Sequence, residues 1–143
     1  MGVVAVGVDG SDRSVPALEW AANEAVAHGH TLRVVTAWSV PVTALSPGGL
    51  PAPYPIDELE SDARAAQDAV IAKAAMPEGL TIEHHIVEGG PGAALLQAAE
   101  SADLLVIGSR GHGGFTGLLL GSVGQQVTGH SACPVVVVPT AHH

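Results

Sequence analysis

Five short runs of β-branched and aliphatic residues, separated by helix-like segments, constrain this chain more than any other feature. Val3 to Val8 is apolar on both of the faces that a strand presents and ends in the turn cluster Asp9-Gly10-Ser11. A strand of that kind is buried on both sides, as in a parallel sheet. Thr31 to Trp38, Leu80 to Val87, Leu104 to Ile107 and Cys133 to Pro139 read as four more strands. Between them lie helical patterns. The first runs to about His28, with Val15, Leu18, Ala22 and Ala25 at helical spacing and Gly29 as its stop. Either Ser11 or Ser14 can cap it, and Pro16 in the first turn favours Ser14. Further helices are predicted over Ile56 to Ala75, from Gly89-Gly-Pro-Gly92 through Ser101, and from Ser122 to His130. Strands alternating with helices predict an α/β fold, a doubly wound parallel sheet with helices on both faces. The chain has 143 residues, the size of one domain spanning 1–143.

Residues 39–55 interrupt the alternation with five prolines and two glycines, too many for a helix or an inner strand. Two readings stand for this Pro/Gly-rich loop: a flap beside a ligand site, or a variable surface loop.

Charge narrows the class of partner. Five Lys and Arg face fourteen Asp and Glu, giving a formal net charge of −9. Such a surface repels nucleic-acid backbones and anionic membranes, so no nucleic acid and no membrane partner is expected. The longest apolar stretches fall well short of about 18 residues, and the first residues read as a strand and not as a secretory leader. Cys133 is the single cysteine and reads as a small apolar residue beside Pro134. These features together predict a cytoplasmic location.

Seven of the eighteen glycines fall within residues 108–124. Glycine permits positive φ and close approach of a backbone to a ligand, both of which a phosphate loop needs. The run contains no lysine, which excludes the loop G-x4-G-K-[ST], and Thr116 breaks the G-x-G-x-x-G pattern counted from Gly111. Gly108 and Gly111 close the fourth strand, and Gly121-Ser122 opens the last helix, whose free N–H groups suit an anion.

This spacing, G-x2-G-x9-G-S, resembles that of the nucleotide-binding members of the universal stress protein family. Gly7-Val-Asp9-Gly-Ser11, Ala37-Trp38, Val87-Glu88-Gly89-Gly90-Pro91 and the closing Cys133 to Pro139 support the likeness. The resemblance implies a Rossmann-like sheet of order 3-2-1-4-5, binding of ATP with Mg2+, and frequent homodimers. It implies a site formed by Gly7, Val8, Asp9 and Ser11, with Ala37 at the adenine edge and Val8 and Ile107 flanking base and sugar. Gly108, Arg110, Gly111, Gly113, Gly121, Ser122 and Val123 would surround the phosphates, and Asp9 would meet the metal. Gly124 departs from the pattern, standing where ATP-binding relatives often carry a hydroxyl.

The expected function is therefore nucleotide-dependent regulation in a stress response, with little or no catalysis. A slow ATPase or phosphotransferase and a nucleotide-free dimeric interaction module are the alternatives. There is no Gly-x-Ser-x-Gly elbow, and His112 is a loop histidine. His84 and His85 are adjacent in a strand and so point to opposite faces, which argues against a shared metal. His142 and His143 read as a frayed end. Were the fifth strand at a sheet edge, Val135, Val136, Val137 and Val138 would invite a second copy to pair with it, giving a homodimer.

Overall fold

The computed structural model describes residues 2–40, 56–109 and 121–139. The elements are β1 (Val3–Gly7), a 3-10 turn (Asp12–Ser14), α1 (Val15–His28), β2 (Thr31–Trp38), α2 (Ile56–Lys73) and β3 (Ile82–Glu88). They continue with α3 (Pro91–Ala99), β4 (Leu104–Gly108), α4 (Ser122–His130) and β5 (Val135–Val138). All strand pairs are parallel, in the order β3-β2-β1-β4-β5. The doubly wound sheet and its expected order are both observed.

Strand periodicity sorts the core into two layers. Val4, Val6 and Val8 point to one face, where Leu18, Ala21, Ala22 and Ala25 of α1 and Val70 of α2 cover them. Ala5, Val35, Leu105 and Ile107 point to the other, under Ala94, Leu95, Ala98 and Ala99 of α3 and Val127 of α4. Small residues on β1 set how closely α3 can approach. A Cβ on Gly7 would stand 2.9 Å from the end of Leu95, so this glycine admits the leucine across the centre of the sheet. Gly29 ends α1 as expected, with φ of 68°, its N–H meeting the carbonyls of Ala25 and Val26.

The two rims of the sheet differ. At the rim where the strands begin, Gly2 N–H donates to His30 Nδ1 (3.0 Å) and Val3 N–H to Asp103 Oδ2 (2.8 Å). At the rim where they end, a Cβ on Gly90 or Gly121 would meet nothing within 4 Å among the described residues.

Arg33 of β2 joins the edge strand to α3. Its Nε donates to Glu83 Oε1 (3.0 Å), and its Nη1 to Ser101 Oγ (2.7 Å) and the Ala98 carbonyl (3.3 Å). Full burial of a leucine such as Leu18, Leu32 or Leu105 contributes about 1.5–3 kcal/mol, against less than about 1 kcal/mol for a solvent-reached ion pair. Apolar layering thus dominates stability, and Arg33 trims the edge. No helix among the described residues is long and apolar enough to cross a membrane.

The Arg33 hydrogen bond, with smaller help from His85, holds the Glu83 carboxyl below its ordinary range. A carboxyl depressed by folding adds stability above its unfolded pKa, and that increment disappears as pH falls through the folded value. Glu83→Gln should therefore melt below wild type at neutral pH, and the gap should close in acid. Thermal unfolding at a series of pH values checks this; a gap that widens in acid would contradict the assignment.

Candidate functional site

In an open parallel sheet, ligands bind beyond the carboxyl ends of the strands, at the point where the winding reverses. Here that point lies between β1 and β4, because β1 leads to β2 on one side while α3 carries the chain across to β4 on the other. Val6 pairs with Val106, so continuing the register brings Val8 level with Gly108 and Asp9 level with Ser109.

Asp9 leaves β1 in a tightly tied turn. Its Oδ1 accepts from Ser11 N–H (2.9 Å), Ser11 Oγ (2.7 Å) and Ser14 Oγ (2.8 Å). Asp9 N–H in turn donates to Ser14 Oγ (3.0 Å). Gly10 completes the turn with φ of 86°, and a Cβ there would press on Ala66 of α2 at 3.1 Å. The expected capping by Ser14 needs correction. Ser14 precedes α1 in a helical conformation and makes no side-chain cap; Ser11 likewise makes none on the 3-10 turn. Both hydroxyls donate to the Asp9 carboxylate, and the Ser14 oxygen accepts from Asp9 N–H in place of a helix N–H.

The ends of the glycine run meet. Ser109 N–H donates to the Val138 carbonyl (2.9 Å), and Gly121 N–H donates to the Ser109 carbonyl (3.1 Å). Gly108 pairs with Val138, so the closure sits on the β4–β5 ladder. Gly121 then starts α4 from an extended conformation (φ −72°, ψ 174°) with no side-chain cap, and Gln125 N–H closes the first turn on its carbonyl. Among the described residues no side chain caps the amino end of this helix; Ser122 is exposed and Val123 packs against the α3-side core. Gly124 is buried in this first turn. The Thr128 hydroxyl bonds back to the Gly124 carbonyl (2.8 Å) and so does not replace the donor that position 124 lacks. Arg110, Gly111, His112 and Gly113 lie outside the described residues, as do 41–55 within the Pro/Gly-rich stretch and His142 and His143.

The other site candidates divide. β2 continues through Thr36, Ala37 and Trp38 beyond Val35, its last partner on β1, so Ala37 overlooks the crevice from the side. Val8 and Ile107 are each 4% exposed and lie in the cores of opposite faces of the sheet. Gly7 faces Leu95. His84 and His85 do diverge, His84 to Gln67 and Asp68, His85 to Glu83. The described residues contain no cluster of three or more His, Cys, Asp or Glu able to hold a metal.

Two residues at this end escaped the sequence reading. Thr36 Oγ1 donates to the Val8 carbonyl (2.9 Å), and the fully buried Gln67 sends Nε2 to Thr36 Oγ1 (3.0 Å) and the Val34 carbonyl (3.1 Å). The signal was present, since Gln67 sits one turn before Val70 and Ile71 on the core-facing stripe of α2.

Residues 1–139 match the universal stress protein family. The chain belongs to that family. It is 40% identical over 133 residues to a universal stress protein of Thermus aquaticus, covering 91% of this chain and 93% of the relative. A Mycobacterium tuberculosis member is 36% identical over 137 residues, covering 94% of this chain but 44% of the relative, so the chain spans less than half of that protein's length. Among solved structures, a universal stress protein in complex with cAMP superposes with a TM-score of 0.63 at 32% identity, covering 98% of both chains.

The Asp9 turn yields a test of its own. Asp9→Ala strips an acceptor from three donors, one of them the hydroxyl of buried Ser14, and should cost about 1–3 kcal/mol in chemical denaturation. Asp9→Asn keeps an oxygen for those donors and should recover most of the loss.

Proposed function

We propose that this universal stress protein binds an adenine nucleotide, ATP with Mg2+, and acts in the cytoplasm as a nucleotide-dependent regulatory protein in the stress response with little or no turnover. The observation that carries the reading is the uncapped amino end of α4, closed onto Ser109 and level by register with Asp9. Backbone N–H groups and a helix dipole suit phosphate, and Ser122 adds a hydroxyl donor. The cAMP complex of the 32% identical relative supports an adenine nucleotide in this fold.

Mg2+ usually takes one or two protein carboxylates and completes its shell with phosphate oxygens and water. Asp9, at the end of β1, supplies one carboxylate, which fits a metal held mainly by the nucleotide. Such a metal offsets repulsion between phosphates and a chain of net charge −9. Isothermal titration of nucleotide-stripped protein with ATP should show saturable heat that weakens when EDTA removes Mg2+. Ser122→Ala should weaken binding about tenfold, the loss of one hydrogen bond to a charged group. Stripped protein that gives no heat with any adenine nucleotide would sink the reading and favour a nucleotide-free interaction module.

The same proposal includes a homodimer. β5 lies at the edge of the sheet, paired with β4 on one side, and Val137 is exposed. Two copies pairing Val135 to Val138 about a two-fold axis would cover that edge. Light scattering at high micromolar concentration should give twice the chain mass, and Val137→Lys should return the protein toward monomer.

A further inference from the structure

We propose that Thr36, Ser14 and Gln67 are positioning residues of the nucleotide site: together they clamp the peptide bond between Val8 and Asp9 and so aim the Asp9 carboxylate. The inference rests on the nucleotide-binding reading and assigns its geometry to residues outside the expected site.

Both ends of that peptide unit are held by buried hydroxyls. The Val8 carbonyl accepts from Thr36 Oγ1 (2.9 Å), and Asp9 N–H donates to Ser14 Oγ (3.0 Å). Thr36 is 4% exposed and Ser14 7%. The direction of every proton in the chain of bonds follows from chemistry. A carbonyl only accepts, so Thr36 donates to Val8 and must itself accept from Gln67 Nε2 (3.0 Å). Gln67 Nε2 also faces the carbonyls of Val34 (3.1 Å) and His85 (3.4 Å), which fixes the amide orientation, because a flipped oxygen would meet only acceptors there. Its Oε1 then accepts from His84 Nδ1 (3.0 Å), so that ring nitrogen carries a proton. On the other side, Ser14 accepts from Asp9 N–H and donates its own proton to Asp9 Oδ1 (2.8 Å).

Inner parallel strands are ordinarily apolar, so a threonine here stands out. Its hydroxyl satisfies a main-chain carbonyl that would cost about 1–3 kcal/mol if buried unpaired, and the same bond fixes the peptide plane from which Asp9 departs. Here a threonine from β2 holds the last carbonyl before the chain turns out at Asp9, and a glutamine from α2 holds that threonine's hydroxyl. Burial keeps water from substituting for either partner, so the peptide plane has one orientation.

The test separates hydroxyl from methyl at position 36. T36V keeps the shape but leaves the Val8 carbonyl without its donor, and Mg-ATP affinity by titration calorimetry should fall about tenfold, the scale for losing a supporting hydrogen bond behind a site. T36S keeps the hydroxyl and loses a buried methyl; its melting temperature should drop while its affinity returns to within about threefold of wild type. Should T36V not fold, S14A against S14T makes the same comparison from the other end of the peptide bond. Wild-type affinity in T36V, or an affinity loss in T36S that matches T36V and simply tracks stability, overturns the clamp while leaving nucleotide binding intact. If wild type binds none of ATP, AMP and cAMP, the nucleotide reading fails and the clamp fails with it.

Discussion

The structure depends on β1 being buried from both sides and ending in the middle of the sheet. A central strand flanked by β2 and β4 and covered by α1 and α3 is buried from Val4 to Val6. Its backbone groups are satisfied by neighbouring strands only while the ladder continues, and its ladder with β2 runs from Val3 to Gly7. Beyond it, the polar groups of Val8 and Asp9 need partners from elsewhere, since an unpaired buried carbonyl costs about 1–3 kcal/mol. Val35, Thr36 and Ser14 provide them. The same termination releases Asp9 at the one place on the rim where the winding of the sheet leaves a crevice. Satisfying the strand end and building the site are one structural event.

Much of this was legible in the residues, and the reason is periodicity. Strands buried on both faces carry continuous aliphatic runs, and helices between them carry three- and four-residue spacing. Both signals are local and strong in Val3 to Val8 and in Val15 to Ala25. The glycine spacing was legible for a different reason. Gly108 ends β4 and Gly121 precedes α4, and the Gly121–Ser109 hydrogen bond shows the two ends of the run brought together.

What stayed hidden is polar and long-range. Gln67 reads as one more hydrophilic residue in an alanine-rich helix, yet its amide is fully buried and meets atoms 17 to 33 positions away. Serines 11 and 14 read as caps because capping is the commonest local use of a hydroxyl before a helix. A carboxylate two to five residues upstream receives their protons instead, in a turn with positive φ at Gly10. Only the folded backbone reveals that the hydroxyls turn toward it and away from the helix N–H groups.

Gly124 illustrates how a departure from a pattern can be local in its consequence. Gly124 is buried in the first turn of α4 and offers no hydroxyl to the proposed site, while Ser122 in the same turn is exposed. Phosphate recognition by a helix end is shared among backbone N–H groups, each contributing a fraction of the whole, so losing one side-chain donor lowers affinity without abolishing the site. Asp9 differs in kind. It is a carboxylate held by buried partners on either side of its peptide bond. On the proposed reading, phosphate contacts would be spread over many weak donors while rigidity is concentrated behind Asp9, the arrangement expected where a metal-bound polyanion must be oriented as well as attracted.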